Sequence, residues 1–247
     1  MILQYHNVTS KHFALSGGRI PFRLFKKQIF SLKRSVFFKF PNLSNYDFLS
    51  NKINEVILTF DDGFSSVYEE VFPFLESFGI KGIVFVVAGY LGRKSKWDIF
   101  LGGFKNMHLN KYQVKNLSDN GWVIGSHSLT HRPLIFLDKK EIYDEVKHSK
   151  EILEDIIGRE VSLFSYPYGR YNKMVIDVLR EVGYKYAFLS SRGNNGERYK
   201  IGRIPIYLID YNLNYKLQFA FFEDLKERFI TCFNLGSLLI YKLRKFI

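Results

Sequence analysis

The stretch Val56–Gly63 reads Val-Ile-Leu-Thr-Phe-Asp-Asp-Gly and decides the fold class of this 247-residue chain. It is a short apolar strand that ends in two adjacent acids and a turn residue. On either side of it, β-rich apolar runs alternate with amphipathic helical stretches. This alternation predicts an α/β fold built on a mainly parallel sheet or barrel. In such folds, functional sites gather at the carboxyl ends of the strands.

The pattern predicts about seven strands with helices between them, as one barrel-like domain over residues 1–210. The predicted strands are Ile2–Tyr5, Val56–Phe60, Gly82–Val87, Trp122–Ile124, Val161–Tyr166, Tyr184–Leu189 and the region Ile201–Leu208. The predicted helices are Phe22–Arg34, Ser65–Phe78 with a kink at Pro73, Lys111–Asn120, a helix from Asp138 to Gly158, and Asn172–Val182. A C-terminal helical tail is expected over residues 211–247.

Composition excludes several classes of protein. Apolar residues make up 47% of the chain, which is enough to build a core and excludes wholesale disorder. The single cysteine, Cys232, excludes a disulfide scaffold and any site that needs two thiolates. No run of 18 apolar residues occurs, so no membrane-spanning helix is expected. The segment that starts at Met1 lacks the features of a secretory signal, and a cytoplasmic location is therefore expected.

The charge of +12 is unevenly distributed. Residues 1–52 hold nine basic residues and only Asp47 as an acid. A membrane surface attracts Lys and Arg by roughly 1 kcal/mol each, so residues 19–39 favour peripheral contact with an anionic inner membrane face. A solvated basic face is the alternative. No RRM, zinc-finger or helix-turn-helix signature accompanies the basic segment, and a nucleic-acid partner is not expected.

Three polar clusters directly follow apolar strands. In the first, the adjacent carboxylates Asp61 and Asp62 repel each other unless a positive group lies beside them. A metal ion could hold one and leave the other as a base, whereas helix capping is the simpler alternative. In the second, His127 and His131 are spaced so that a helical turn would let both imidazoles reach one ion. One Asp with two His makes a three-ligand set with open positions, typical of a catalytic zinc-type site.

The third cluster, residues 165–169, reads Ser-Tyr-Pro-Tyr-Gly. It predicts a rigid turn that presents aromatic faces to a sugar and a backbone N–H to a developing oxyanion. An ordinary Pro-Gly turn is the alternative.

Together, the clusters resemble the polysaccharide deacetylase (NodB-homology) family, carbohydrate esterase family four, over about residues 1–208. Thr-Phe-Asp-Asp-Gly at 59–63 and Ser-His-x-x-x-His at 126–131 carry the resemblance. It implies a distorted (β/α) barrel that hydrolyses N-acetyl groups of amino sugars with a divalent metal, often zinc. It further implies that Asp61 is the catalytic base, that Asp62, His127 and His131 are the metal ligands, and that the backbone N–H of Tyr168 donates to the oxyanion.

The chain departs from the family pattern at two points. Ser165 stands where the family usually has an Arg that orients the base, and no His occurs after His148 to act as the general acid. The Tyr-His strand end at His6 resembles the permuted branch typified by poly-N-acetylglucosamine deacetylases, which implies His6 as the acid. A core or loop His is the alternative reading. Arg203 is the candidate replacement for the missing Arg.

The resulting hypothesis is a metal-dependent N-deacetylase of a glycan or glycan precursor, with a role in exopolysaccharide biosynthesis. The alternatives are a deacetylase or deformylase of a lipid-linked sugar at the membrane face, and a catalytically impaired glycan-binding barrel. Trp97 is expected either to stack on a sugar ring or to pack in the core. His12, His108 and His148 are expected at the surface. The remaining substrate-binding candidates are Tyr166, Pro167, Tyr168 and Arg203.

Overall fold

The computed structural model describes residues 1–210 except for 12–17, 37, 51–53, 98–105 and 192–196. Within this part of the chain, Met1–Tyr207 form one compact unit. The helical tail predicted over residues 211–247 and the surface position predicted for His12 lie outside the described residues.

A seven-stranded parallel sheet forms the centre of the unit, as the sequence predicts. The strands in chain order are β1 Ile2–Tyr5, β2 Asn7–Thr9, β3 Arg19–Pro21, β4 Ile57–Phe60, β5 Ile83–Val86, β6 Val123–Ser126, β7 Leu163–Ser165, β8 Tyr186–Phe188 and β9 Ile204–Pro205. The sheet order is β8-β7-β6-β5-β4-β1-β9, and β2 pairs separately with β3. That short pair was not predicted, because three residues are too few to show a period of two.

The sheet curls into a distorted (β/α) barrel. The rings of Phe85 on β5 and Phe188 on β8 lie 5.2 Å apart although two strands separate them in the sheet. A parallel bridge from Phe188 to Ile201 brings the segment before β9 against β8. On β6, a Cβ at Gly125 would lie 2.5 Å from the ring of Phe85, so the barrel interior requires glycine there.

The described part of the chain contains five α-helices, each of which follows a strand. They are α1 Phe22–Arg34, α2 Phe72–Glu76, α3 Lys111–Asp119, α4 Lys139–Ile157 and α5 Lys173–Val182. Short 3-10 turns occupy Ala88–Tyr90, Leu134–Phe136, Pro167–Gly169 and Leu208–Asp210. None of the helices in the described ranges combines the length and the hydropathy that a membrane span needs.

Local signals set the helix ends. Asp138 and Glu141 form the predicted capping box at the start of α4, and Gly158 ends that helix with a φ of 72°. The segment predicted as a helix over 65–78 is helical over residues 65–76, and part of it is a π-helix. A π-helical turn, Val67–Val71, precedes α2, and this change places Pro73 in the first turn of α2, where its missing N–H leaves no bond unmade.

The outer face of the sheet is covered by aromatic packing. Phe25 of α1 contacts the rings of Tyr5 and Phe60, at 5.2 and 6.0 Å between centroids. Each fully buried ring stabilises the fold by about 1.5–3 kcal/mol. This packing fixes β1 beside β4, and their register pairs Tyr5 with Phe60. The residues that follow these two strands, His6 and Asp61, are therefore neighbours at the same edge of the barrel.

Candidate active site

Asp61 lies directly after β4 and is paired with Arg203, which lies directly before β9. The guanidinium donates from Nη1 to Oδ1 and from Nη2 to Oδ2, both at 2.7 Å. Both residues are only 1% exposed. Burial by itself would raise the pKa of Asp61, but the charge and hydrogen bonds of Arg203, together with His127 and His6, outweigh burial and hold that pKa well below its usual range. Asp61 is therefore ionised at neutral pH.

Two further side chains bind Asp61, and both contact Oδ2. Gln4 donates from Nε2 at 2.8 Å, and Ser165 donates from Oγ at 3.0 Å while accepting from Arg203 at 2.8 Å. Among the described residues, Oδ2 thus accepts three hydrogen bonds and Oδ1 accepts one. Oδ1 keeps a lone pair for a further proton donor. We call Asp61, Arg203, Gln4 and Ser165 the carboxylate cluster.

Asp62, His127 and His131 form a second group, the metal triad. Their ligand atoms lie within 4.8 Å of one another, and all three residues are buried. The Nε2 atoms of His127 and His131 lie 3.5 and 3.3 Å from Oδ1 of Asp62. Tetrahedral zinc with ligands at about 2.0–2.2 Å needs ligand atoms about 3.4 Å apart. The triad therefore fits a divalent cation of this size.

The protonation of His127 also fits metal binding. Its Nδ1 donates to the backbone carbonyl of Ser165 at 2.8 Å, which leaves the lone pair on Nε2 directed at Asp62. Burial lowers the pKa of His127 to about 4, against the opposing effect of Asp61. Burial also places the pKa of His131 well below its usual value. Both rings are therefore neutral at pH 7, which is the form that binds metals.

Strained backbone is concentrated at this site. Within the described residues, the non-glycine residues with positive φ are Asp62, Ser128, His131 and Tyr168, at 66°, 63°, 61° and 57°. Each such conformation costs on the order of 1–3 kcal/mol. The segment from His127 to His131 is consequently a bend, and the helical turn that the sequence suggested for it is absent. The imidazoles converge because two left-handed residues fold the chain back.

The Tyr-Pro-Tyr-Gly turn faces the metal triad through one ring. Tyr168 is half-buried, and its ring centroid lies 4.7 Å from that of His131. Tyr166 was expected to contact substrate, but it is fully buried and its hydroxyl donates to the carbonyl of Tyr199 at 3.0 Å. Pro167 is buried as well. Both residues thus shape the turn, and Tyr168 is the member with exposed surface.

His6 and Trp97 lie next to different parts of the site. His6 follows β1, and Asp61 and Arg203 both act on its charge. Burial lowers its pKa, Asp61 opposes this shift and Arg203 adds to it. Trp97, the candidate for sugar stacking, is half-buried and stacks on the imidazole of His131, with centroids 4.4 Å apart and planes 17° apart. Arg203, the remaining candidate for substrate contact, has all of its surface buried behind Asp61.

Sequence reasoning missed two residues of the site. The prediction that His108 lies at the surface is wrong, because it is 2% exposed and its Nδ1 donates to the backbone carbonyl of Asp62 at 2.8 Å. A lone His in a loop gives no signal of such a contact. The other is Gln4, a polar residue inside an apolar strand, and that oddity was a usable signal. His148 is exposed, as predicted.

A curled parallel barrel with an acidic pair and two histidines at its mouth defines a NodB-type (β/α) barrel with a candidate metal site. The family profile described as polysaccharide deacetylase matches residues 50–187, which is more than half of the chain. The chain belongs to the polysaccharide deacetylase family.

Individual relatives agree with this membership. The putative polysaccharide deacetylase YxkH of Bacillus subtilis is 28% identical over 138 residues, 56% of this chain and 45% of the relative. A poly-beta-1,6-N-acetyl-D-glucosamine N-deacetylase of Staphylococcus aureus is 24% identical over 145 residues, 54% of this chain and 47% of the relative. The chain therefore spans about half the length of these curated relatives. The solved structure of IcaB from Ammonifex degensii is 25% identical in sequence and superposes with a TM-score of 0.73. The match covers 85% of this chain and 92% of the IcaB chain.

Proposed function

We propose that this protein removes N-acetyl groups from amino sugars of a polysaccharide or a glycan precursor. We propose that it uses a divalent cation for this reaction, and Zn²⁺ is the first candidate. One observation carries the proposal. The metal triad, which has the donor set of a catalytic zinc site, adjoins an ionised carboxylate with a lone pair to spare. The Staphylococcus aureus relative is a poly-beta-1,6-N-acetyl-D-glucosamine N-deacetylase, and this supports the substrate class.

Asp62, His127 and His131 would hold the cation. When bound, it supplies a Lewis acid that polarises the amide carbonyl and lowers the pKa of a water molecule. The three ligands leave at least one coordination position open, as a catalytic site requires.

The other residues move protons and stabilise charge. Asp61 takes a proton from the attacking water at Oδ1 as the water oxygen bonds to the acetyl carbon. The backbone N–H of Tyr168 donates to the former carbonyl oxygen as it gains charge. The C–N bond then breaks while the proton that Asp61 took from the water passes through His6 to the leaving nitrogen, which returns Asp61 and His6 to their starting forms. The products are acetate and a free amino sugar.

Arg203 fills the role of the Arg that the third motif lacks at Ser165. It bonds both oxygens of Asp61, although it comes from a different strand. The missing Arg was one ground for expecting an impaired glycan-binding barrel, and this contact weakens that alternative.

The test is acetate release from N-acetylglucosamine oligomers, measured with and without a chelator. We expect release by the untreated protein, loss after chelation, and recovery when Zn²⁺ is added back. His127→Ala should release no acetate above background, and the matched variant His148→Ala on the outside of α4 should behave as the unchanged protein.

Two outcomes would overturn the proposal. One is acetate release that survives chelation or the His127→Ala substitution. The other is a protein that binds Zn²⁺ and yet leaves N-acetylglucosamine oligomers and lipid-linked acetamido sugars unchanged, which would favour the impaired barrel.

We also infer that the outer face of α1 contacts an anionic membrane, which keeps a lipid-linked sugar among the candidate substrates. Residues 19–39 contain no acid, and Arg23, Lys27, Lys33 and Arg34 are exposed. Phe30 is 43% exposed between them. Co-sedimentation with phosphatidylglycerol vesicles at low salt tests this contact. Binding that is equal for the protein and for a Lys27→Glu/Lys33→Glu variant would contradict it.

A further inference from the structure

The three ligands of the metal triad are held in different ways. The second ring nitrogen of His127 donates to a backbone carbonyl. The corresponding Nδ1 of His131 is buried and has no hydrogen-bond partner among the residues that the structure describes. Metal-binding histidines normally depend on such a contact for their orientation. A different contact must therefore orient His131.

That contact is the indole of Trp97. Its ring lies nearly parallel to the imidazole of His131, at 17° and 4.4 Å between centroids, and Tyr168 packs on the same imidazole at 4.7 Å. Trp97 is itself fixed by Tyr90, at 4.7 Å and 81°, and by His108, at 5.0 Å. The ring of His131 thus has packing contacts in place of a hydrogen bond.

Asp62 is restrained through its backbone. Its φ of 66° is unfavourable for a non-glycine residue, so an outside contact must stabilise it. Nδ1 of His108 bonds to the Asp62 carbonyl at 2.8 Å. Since a carbonyl oxygen only accepts, Nδ1 carries the hydrogen. On either side of His108, the backbone pairs with the Asp-Gly turn, through Leu109 N–H to the Gly63 carbonyl at 2.8 Å and Ser65 N–H to the Met107 carbonyl at 2.8 Å.

His108 has little other reason to be buried. Its ring packs among Phe64, Tyr90 and Trp97, at 5.0, 5.6 and 5.0 Å between centroids. Its Nε2 is buried and has no hydrogen-bond partner within the described ranges. An apolar ring would fill this space without leaving a buried polar atom unpaired. The bond to Asp62 is the feature that only a His, or another side chain with N–H at that position, provides.

We propose that His108 and Trp97 are positioning residues for the metal triad. His108 fixes the backbone of Asp62 in the conformation that turns its carboxylate to the histidines, and Trp97 fixes the ring plane of His131. The inference rests on the proposed function, because it takes the triad as the metal site. Neither residue needs to touch the substrate or the ion.

The test of His108 measures Zn²⁺ affinity by competition with a chromophoric chelator. His108→Phe keeps a ring but removes the donor, and we expect its affinity to fall about 10–100-fold. His108→Asn puts an amide N–H where Nδ1 lies and should restore affinity to within a fewfold of the unchanged protein. His108→Gln, whose N–H lies at the Nε2 position, should not. His148→Phe on α4 is the matched control and should bind as the unchanged protein does.

The test of Trp97 uses the visible absorption of the Co²⁺-loaded protein, which reports the ligand geometry. Trp97→Leu removes the stacking face, so we expect an altered spectrum and about tenfold weaker Zn²⁺ binding. Trp97→Phe keeps an aromatic face and should give a spectrum close to the original. Thermal unfolding of each apo-protein separates these effects from a general loss of stability.

The outcomes distinguish the two proposals. If the unchanged protein binds no Zn²⁺, the proposed function fails. If it binds Zn²⁺ and the folded His108 and Trp97 variants bind equally well with the same Co²⁺ spectrum, the positioning role is wrong. If His108→Phe does not fold, the Zn²⁺ affinities of His108→Asn and His108→Gln are compared instead. Equal Zn²⁺ affinities of these two variants would show that the Nδ1 donor has no positioning role.

Discussion

The adjacent residues Asp61 and Asp62 follow the same strand, but their carboxylates are surrounded by different groups. Asp61 lies in the carboxylate cluster, where Arg203 balances its charge and Oδ2 accepts three hydrogen bonds. Asp62 lies in the metal triad, where the groups nearest its Oδ1 are two neutral imidazoles. In one half of the site the carboxylate is paired with a guanidinium, whereas in the other it faces two imidazole nitrogens at 3.3 and 3.5 Å.

The difference in environment supports the two different roles proposed for this pair of identical residues. A buried carboxylate that is paired with Arg remains ionised without an ion, so Asp61 suits proton transfer. A buried carboxylate beside neutral imidazoles is stable in its charged form once a cation arrives, so Asp62 suits ligation. The two acids also differ in their backbone, because Asp62 has a positive φ of 66° and Asp61 does not.

The strongest test of the division compares Asp61→Asn with Asp62→Asn. Asp62→Asn should lose Zn²⁺ affinity by at least about 100-fold and lose acetate release with it, while Asn tolerates the positive φ. Asp61→Asn should keep Zn²⁺ affinity within about threefold and lose about 10²–10⁴-fold in turnover, which is the range for a lost general base. Isothermal titration with Zn²⁺ and an acetate assay measure the two effects. Equal loss of metal by both variants would show that the division is wrong.

The sequence predicted where these groups lie, and the resemblance to the deacetylase family implied which of the two acids has which role. The motifs placed Asp61, Asp62, His127 and His131 at one edge of a parallel sheet, because polar residues after apolar strands have no other place to gather. The conformation of Asp62 and the bend at His131 could not be predicted, since four non-glycine residues adopt φ values that local propensity disfavours. Tertiary packing, not sequence spacing, imposes them.

The long-range partners were predictable only in part. Arg203, just before Ile204-Pro205, was the candidate to replace the missing Arg, and the structure places its guanidinium on Asp61. His108 contacts Asp62, which is 46 residues away in the sequence, and Gln4 contacts Asp61, which is 57 residues away. No local pattern reports such a pairing, because it depends on which strands become neighbours when the sheet curls.

A smaller effect tests the charge balance inside the carboxylate cluster. Arg203→Met leaves the buried charge of Asp61 without a partner, and we expect the free energy of unfolding to fall by about 3–5 kcal/mol. The double variant Asp61→Asn/Arg203→Met removes both charges and should recover a large part of that loss. Urea unfolding of the apo-proteins measures both.

The control for this test is Arg180→Met on the exposed face of α5. Its ion pair with Asp177 spans 3.5 Å at the surface, and its loss should cost less than about 1 kcal/mol. If the double variant is no more stable than Arg203→Met, the guanidinium contributes through its packing on Phe85 and Phe188, not through its charge.

The smallest and most selective test is Ser165→Ala, because Ser165 joins the two halves of the site. Its hydroxyl donates to Asp61 and accepts from Arg203, whereas its backbone carbonyl accepts from His127. The substitution removes both contacts of the hydroxyl and keeps the contact of the carbonyl. A hydrogen bond to a charged group contributes about 1.5–3 kcal/mol, and Oδ2 keeps the bonds from Arg203 and Gln4. We therefore expect turnover to fall about tenfold or less, with Zn²⁺ affinity unchanged. A parallel loss of Zn²⁺ affinity would mean that the carboxylate cluster also sets the position of His127, so that the two halves act as one unit.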